Sequence, residues 1–73
     1  MYKFYLMDKN GKIADSTEYA GRAAIAAKAM REGTKILYRG EVVWAQGHEH
    51  SEQPSKAIEL RAAAIDLRQD YGE

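Results

Sequence analysis

Seventy-three residues without a cysteine make one domain near the lower limit for a lone hydrophobic core, with no disulfide, thiolate nucleophile or Cys-ligated zinc to draw on. The 11 Lys/Arg balance the 11 Asp/Glu, which is poor electrostatics for a polyanion-binding chain. There is no basic leader followed by an apolar stretch and no run of about 18 apolar residues. Neither export nor membrane spanning is therefore expected, and the missing Cys agrees with a reducing, cytoplasmic setting.

The neutral total hides an asymmetry. Residues 1–47 carry eight Lys/Arg against five Asp/Glu, and residues 48–73 carry three against six, so +3 on the first part cancels −3 on the second. Either the two parts face each other, within one chain or across a dimer, or each meets a different partner.

Taken in order, Tyr2 to Met7 alternates, with Tyr2, Phe4 and Leu6 on one face and Lys3, Tyr5 and Met7 on the other, the pattern of a half-buried strand. Asp8-Lys9-Asn10-Gly11 is a turn signal, because Asn-Gly readily supplies positive φ, and Lys12 to Asp15 is expected to return as a second strand. Asp15, Ser16 or Thr17 then caps a helix predicted over residues 18–32, with Asp15 and Glu18 at capping-box spacing. On a helical wheel Tyr19, Ala20, Ala23, Ala26, Ala27 and Met30 share one face, opposite Arg22, Lys28, Arg31 and Glu32. Small side chains let such a helix lie close to a sheet, with Tyr19 and Met30 filling its ends. Ile25 projects among the charges and, with Ala29, forms a candidate contact patch.

Gly33 ends this helix as a C′ residue in the left-handed region. Thr34 to Arg39 and Glu41 to Gln46 follow as two more strands around an Arg39-Gly40 turn. Ile36, Tyr38, Val42 and Trp44 are expected on one face and Leu37, Val43 and Ala45 on the other. One short helix cannot cover both sides of that sheet. Residues 47–54 form a polar linker, in which His48, Glu49, His50 and Glu52 are the only imaginable metal ligands. Two histidines and one or two carboxylates on a loop lack the rigid frame that zinc needs, so no metal and no cofactor are expected.

From residue 55 onward the chain repeats at seven residues: Ala57-Ile58-Glu59-Leu60-Arg61-Ala62-Ala63, then Ala64-Ile65-Asp66-Leu67-Arg68-Gln69-Asp70. This predicts a helix over 55–73 with a straight stripe of Ala57, Leu60, Ala64, Leu67 and Tyr71, flanked by Ile58 and Ile65. That stripe, with Leu60, Ala64, Leu67 and Tyr71 as its seam, docks on the chain's own sheet, on a second copy or in a partner's groove. Glu59, Asp66 and Asp70 fall in a narrow arc. Asp66 and Asp70 lie four apart and repel, and Asp70 sits where the helix dipole disfavours an anion. Local helix stability does not account for these carboxylates, so they are surface residues of no consequence, or they meet a basic surface on a partner or on the first half of the chain.

The fold class is α+β: two hairpins in a small antiparallel sheet with one helix packed on it, ββαββ over residues 1–46, a linker at 47–54 and a C-terminal helix over 55–73. No nucleophile elbow, phosphate-binding loop or dinucleotide fingerprint is present, and so small a core leaves little volume for a substrate, so the chain is expected not to be an enzyme. The strand hairpin, Gly21-Arg22-Ala23-Ala24-Ile25-Ala26-Ala27-Lys28-Ala29-Met30 and the second hairpin together resemble the small phage-encoded anti-CRISPR proteins of type I systems, over residues 2–46. The resemblance implies a stoichiometric inhibitor that occludes a basic, nucleic-acid-binding surface of a CRISPR effector complex in the host cytoplasm, and it carries over no functional residue. The expectation is thus a protein-binding module with contacts at Glu59, Asp66 and Asp70, and a second surface at Ile25, Arg22 and Lys28. The alternatives are a small nucleic-acid-binding or regulatory protein using the basic face of the first helix, and a homodimer built on the Leu60/Leu67 seam.

Overall fold

The computed structural model describes residues 2–30, 33–45 and 54–71. Its elements are β1 (Phe4–Met7), β2 (Ile13–Thr17), α1 (Ala20–Ala29), β3 (Lys35–Tyr38), β4 (Glu41–Ala45) and α2 (Pro54–Tyr71). The strands form one antiparallel sheet in the order β2-β1-β3-β4, so two sequence-local hairpins join through their first strands. The α+β class, with its ββαββ core and added helix, is the architecture the sequence leads one to expect.

The first turn is built on Asp8. Its carboxylate accepts from the backbone N–H groups of Asn10 (2.9 Å) and Lys12 (3.0 Å), while Gly11 N–H donates to Asp8 O (3.0 Å). Only Gly11 takes positive φ there, at 82°. In the second hairpin both turn residues do, Arg39 at 52° and Gly40 at 84°, the signature of the two-residue turn whose twist matches that of the flanking strands.

β2 continues two residues beyond its expected end, because Thr17 pairs with Phe4 and Ser16 with Tyr5. Those ladder bonds take the segment that would otherwise have capped the helix. Asp15 accepts only from the adjacent Ser16 N–H (2.7 Å), Thr17 Oγ1 accepts from Tyr19 N–H (3.2 Å), and α1 starts with Tyr19 as N-cap and no side-chain cap bond. The capping box is therefore not formed. The helix also stops earlier than expected, with Met30 as an extended C-cap, so Gly33 is not its C′ residue. Gly33 is nevertheless left-handed, with φ 86°, and a Cβ built on it would lie 2.5 Å from Lys9 Cβ. Gly33→Ala is expected to cost about 1–2 kcal/mol, from the left-handed backbone and from the collision with the β1–β2 turn. Chemical denaturation with an unchanged slope and a lowered midpoint would register that loss.

Both helices lie on one face of the sheet. Phe4, Leu6, Ile36, Tyr38, Val43 and Trp44 form a single core with Ala20, Ala23, Ala24 and Ala27 of α1 and Ile58, Ala62 and Ile65 of α2. The buried stripe of α1 is shifted from the expected one: Ala24 is in it, and Tyr19 is 60% exposed. The cause is α2, which packs beside α1 as well as on β4, so the alanines must face two neighbours at once. β4 departs from simple alternation too. Trp44 pairs with Ile36 and Val42 with Leu37, so Val43 is the extra residue of a bulge. The bulge buries Val43 and Trp44 together and turns Val42 to the far side, 52% exposed, reversing the expected places of the two valines.

Candidate functional site

The link between α2 and the β3–β4 turn is a polar cluster. Tyr38, buried on β3, donates its hydroxyl to both carboxylate oxygens of Asp66 (2.9 and 3.0 Å). Arg39, held left-handed in the turn, donates from Nη1 to Asp66 Oδ1 (2.8 Å) and lies 3.3 Å from Asp70 Oδ1. Its guanidinium also stands over the Tyr2 ring at 3.9 Å, and Tyr2 meets Tyr38 edge-on. Further along β4, Glu41 accepts from Arg68 and from Gln69 Nε2 (3.1 Å), and Arg61 donates to the carbonyl of Val43 in the bulge (2.8 Å). The last bond occupies a carbonyl on an edge strand, one of the ways a sheet edge is closed to further pairing.

These contacts bear on the charge asymmetry. Arg39 with Asp66 and Asp70 joins the basic first part to the acidic second part, which is the intramolecular explanation at this one point, whereas Glu41 with Arg68 joins the two parts in the opposite sense. Of the two basic surfaces that could meet Asp66 and Asp70, on a partner or on the first half of the chain, the second is formed: α2 places both against Arg39 of the β3–β4 turn. Glu59 is on the same helix but exposed, with no ion pair among the described residues.

The Tyr38 hydroxyl is pushed up from the usual 10 to about 12, by burial first and then by the hydrogen bond and charge of Asp66. A pKa higher in the folded than in the unfolded chain means that this group's contribution is complete below pH 10 and is lost as pH rises from 10 toward 12. Ultraviolet titration of the five tyrosines should therefore show one ionising late in the folded chain, and Tyr38→Phe should remove that late step. Five tyrosines ionising together would contradict the buried hydrogen bond. At the other extreme of pH, the Arg68 and Gln69 bonds hold the exposed Glu41 carboxyl below its ordinary value.

The seam of α2 does not dock on the chain's own sheet. Ile58, Ala62 and Ile65 are the buried residues of this 18-residue helix. Leu60 (64% exposed), Ala64, Leu67 (62%) and Tyr71 (82%) are left as a continuous outward stripe at spacings of four, three and four. The heptad repeat marks both stripes alike, and the choice falls to the branched isoleucines because α2 turns its opposite side to α1 and β4. On α1, Ile25 is 71% exposed, Arg22 lies over the Tyr19 ring at 5.7 Å and Lys28 is exposed. Ile25 and Lys28 line a shallow hollow of about 280 Å³ with Gly21, Ala24, Pro54 and Ser55. Gly21 also lines a second hollow, of about 490 Å³, shared by the start of α1, by Tyr2 and Phe4, and by Glu59, Ala62, Ala63 and Asp66 of α2. The two expected surfaces thus adjoin at Gly21, with Glu59 and Asp66 on one side and Ile25 and Lys28 on the other.

The sequence reading missed Arg39 as the hub of the cluster. A non-glycine residue at the first position of a two-residue hairpin turn was the available sign. His48, Glu49, His50 and Glu52 lie outside the described residues, and among the described residues no group of three or more His, Cys, Asp or Glu is placed to hold a metal. No helix among the described residues is long and apolar enough to cross a membrane. Compared with known proteins, the chain matches no family model, no curated protein and no solved structure.

Proposed function

We propose that this chain is a non-enzymatic protein-binding module of the cytoplasm that works by surface contact, and that the outer stripe of α2 is its principal contact. The observation that carries this reading is the helix's double-sidedness. One apolar stripe is used up in the core, and a second, of Leu60, Ala64, Leu67 and Tyr71, faces outward although nothing in the fold requires it. An exposed apolar row on a rigid helix is the form that groove-docking and helix-pairing contacts take. The test is the double variant Leu60→Glu and Leu67→Glu. Both positions are exposed, so its thermal midpoint should stay close to the parent's, while association is lost. That association is read as self-assembly by sedimentation across a concentration series and as partner retention on affinity purification from the native host. Equal association by parent and variant in both assays would overturn the assignment.

The narrower reading, an inhibitor of a CRISPR effector, rests on the resemblance of residues 2–46. Its acidic docking element would have to act through Glu59, since Asp66 and Asp70 are held by Arg39.

A second reading, single-stranded nucleic acid binding, draws on the uncovered face of the sheet. There Tyr5 is exposed between Leu37 and Ser16 in the ladder, Lys3 and Lys35 share that face, and no strand carboxylate does. Log affinity for mixed-sequence RNA or DNA that falls steeply with log salt, and that is lost in Tyr5→Ala, would favour it over the first.

A further inference from the structure

We propose that the hollow between the start of α1, β1 and the middle of α2 is a binding site for an organic cation, a guanidinium or alkylammonium group of the kind an arginine or lysine side chain carries. The hollow of about 490 Å³ has aromatic walls from Tyr2, Phe4, Tyr19 and Tyr38. Every charged residue lining it is a carboxylate: Glu18, Glu59 and Asp66. Rings and carboxylates together are the chemistry that holds a cation by its charge and by the negative faces of the π-systems. Two of these rings show that chemistry with guanidinium groups of the chain itself, Arg39 over Tyr2 at 3.9 Å and Arg22 over Tyr19 at 5.7 Å, so a ligand cation shares the hollow's rim with two cations already in place.

The three carboxylates do not contribute equally. Asp66 is spent on Tyr38 and Arg39. The start of α1 brings the partial positive charge of a helix N-terminus, about half a unit, and Glu18, next to the N-cap, offsets it. Glu59 is then the carboxylate left to pair with a ligand: it is exposed, has no ion pair among the described residues and sits on the α2 wall. This site lies on a different face of α2 from the Leu60/Leu67 stripe, so it stands or falls separately from the protein-binding reading.

Amide-resolved NMR titration of the whole chain tests the site, with acetyl-arginine amide and n-butylammonium as probes and the neutral analogue acetyl-citrulline amide as control. Saturating shifts are expected at Tyr19, Gly21 and Ala63 with both cations, and none with the control. Glu59→Gln should weaken binding at least fivefold. Gly21→Leu should abolish it, since Gly21 lines the hollow and a Cβ added there meets nothing within 4 Å. Shifts that fail to saturate, that persist in both variants or that appear equally with the citrulline probe would overturn the proposal. An arginine-containing peptide and free spermidine, compared in the same titration, identify the source. Tighter binding of the peptide assigns the cation to a protein side chain, tighter binding of spermidine assigns it to a free polyamine, and a cation site is supported either way.

Discussion

Ile58→Ala is expected to lower the thermal midpoint by about 10 °C or more, while Leu67→Ala moves it by no more than about 3 °C. Both residues are large aliphatics of one heptad-patterned helix, and periodicity gives them equal rank. The difference is burial: Ile58 is fully enclosed in the core, and Leu67 is 62% exposed. Truncating a buried isoleucine removes its transfer free energy and leaves a cavity, together about 2–5 kcal/mol. A domain of this size holds only about 3–5 kcal/mol from a single core, so Ile58→Ala takes most of the margin. Calorimetry or circular dichroism melts of the two variants side by side measure the contrast. Equal shifts would mean that the outer stripe shares in the fold, and the proposed contact surface would lose its basis.

The second large effect is at Asp66. Asp66→Lys should destabilise the fold by about 2–3 kcal/mol, against less than about 1 kcal/mol for Asp70→Lys. Reversal at Asp66 leaves the buried Tyr38 hydroxyl without its acceptor and sets an ammonium beside the Arg39 guanidinium, which is itself almost enclosed. The Asp66 carboxylate is 39% exposed, so solvent screens part of the ion pair and the loss stays below that of a fully buried one. Asp70 is 48% exposed and stands farther from the guanidinium, at 3.3 Å. Sequence reasoning treats the two aspartates as equivalent contact residues. Urea titrations of the single variants separate them, and adding Tyr38→Phe to Asp66→Lys should recover part of the loss by removing the orphaned hydroxyl.

The strands, both turns and both helices are legible in the sequence because each rests on short-range chemistry: alternation in Tyr2 to Met7, glycine at the turns, a run of alanines, a seven-residue repeat. What the sequence does not disclose depends on partners far along the chain. The bulge at Val43 arises from how β4 meets β3 and α2, and nothing in Val42-Val43-Trp44 alone says which valine faces inward. Cap chemistry at Asp15 to Thr17 loses to strand pairing with Phe4 and Tyr5, residues more than ten positions away. The choice between the Ile58 and Leu67 stripes is likewise made by the surfaces α2 meets. Of the candidate contacts, Glu59, Ile25, Arg22 and Lys28 are exposed as their patterns imply, and Asp66 and Asp70 are not free because Arg39 reaches them. That reach required knowing that the second hairpin turns toward the last helix.

The order β2-β1-β3-β4 bears on how the molecule is made. Neither hairpin owns the centre of the sheet, and a two-stranded ribbon alone is marginal in water. A chain leaving the ribosome must hold β1 with one side unpaired until residues 35–38 emerge, and until α2 follows, the apolar side of β4 and the flank of α1 that α2 covers stay wet. Assembly is therefore expected to be late and all at once. A ribosome-tethered series of growing lengths should gain protease resistance in a single step, after the residues of α2 have cleared the exit tunnel.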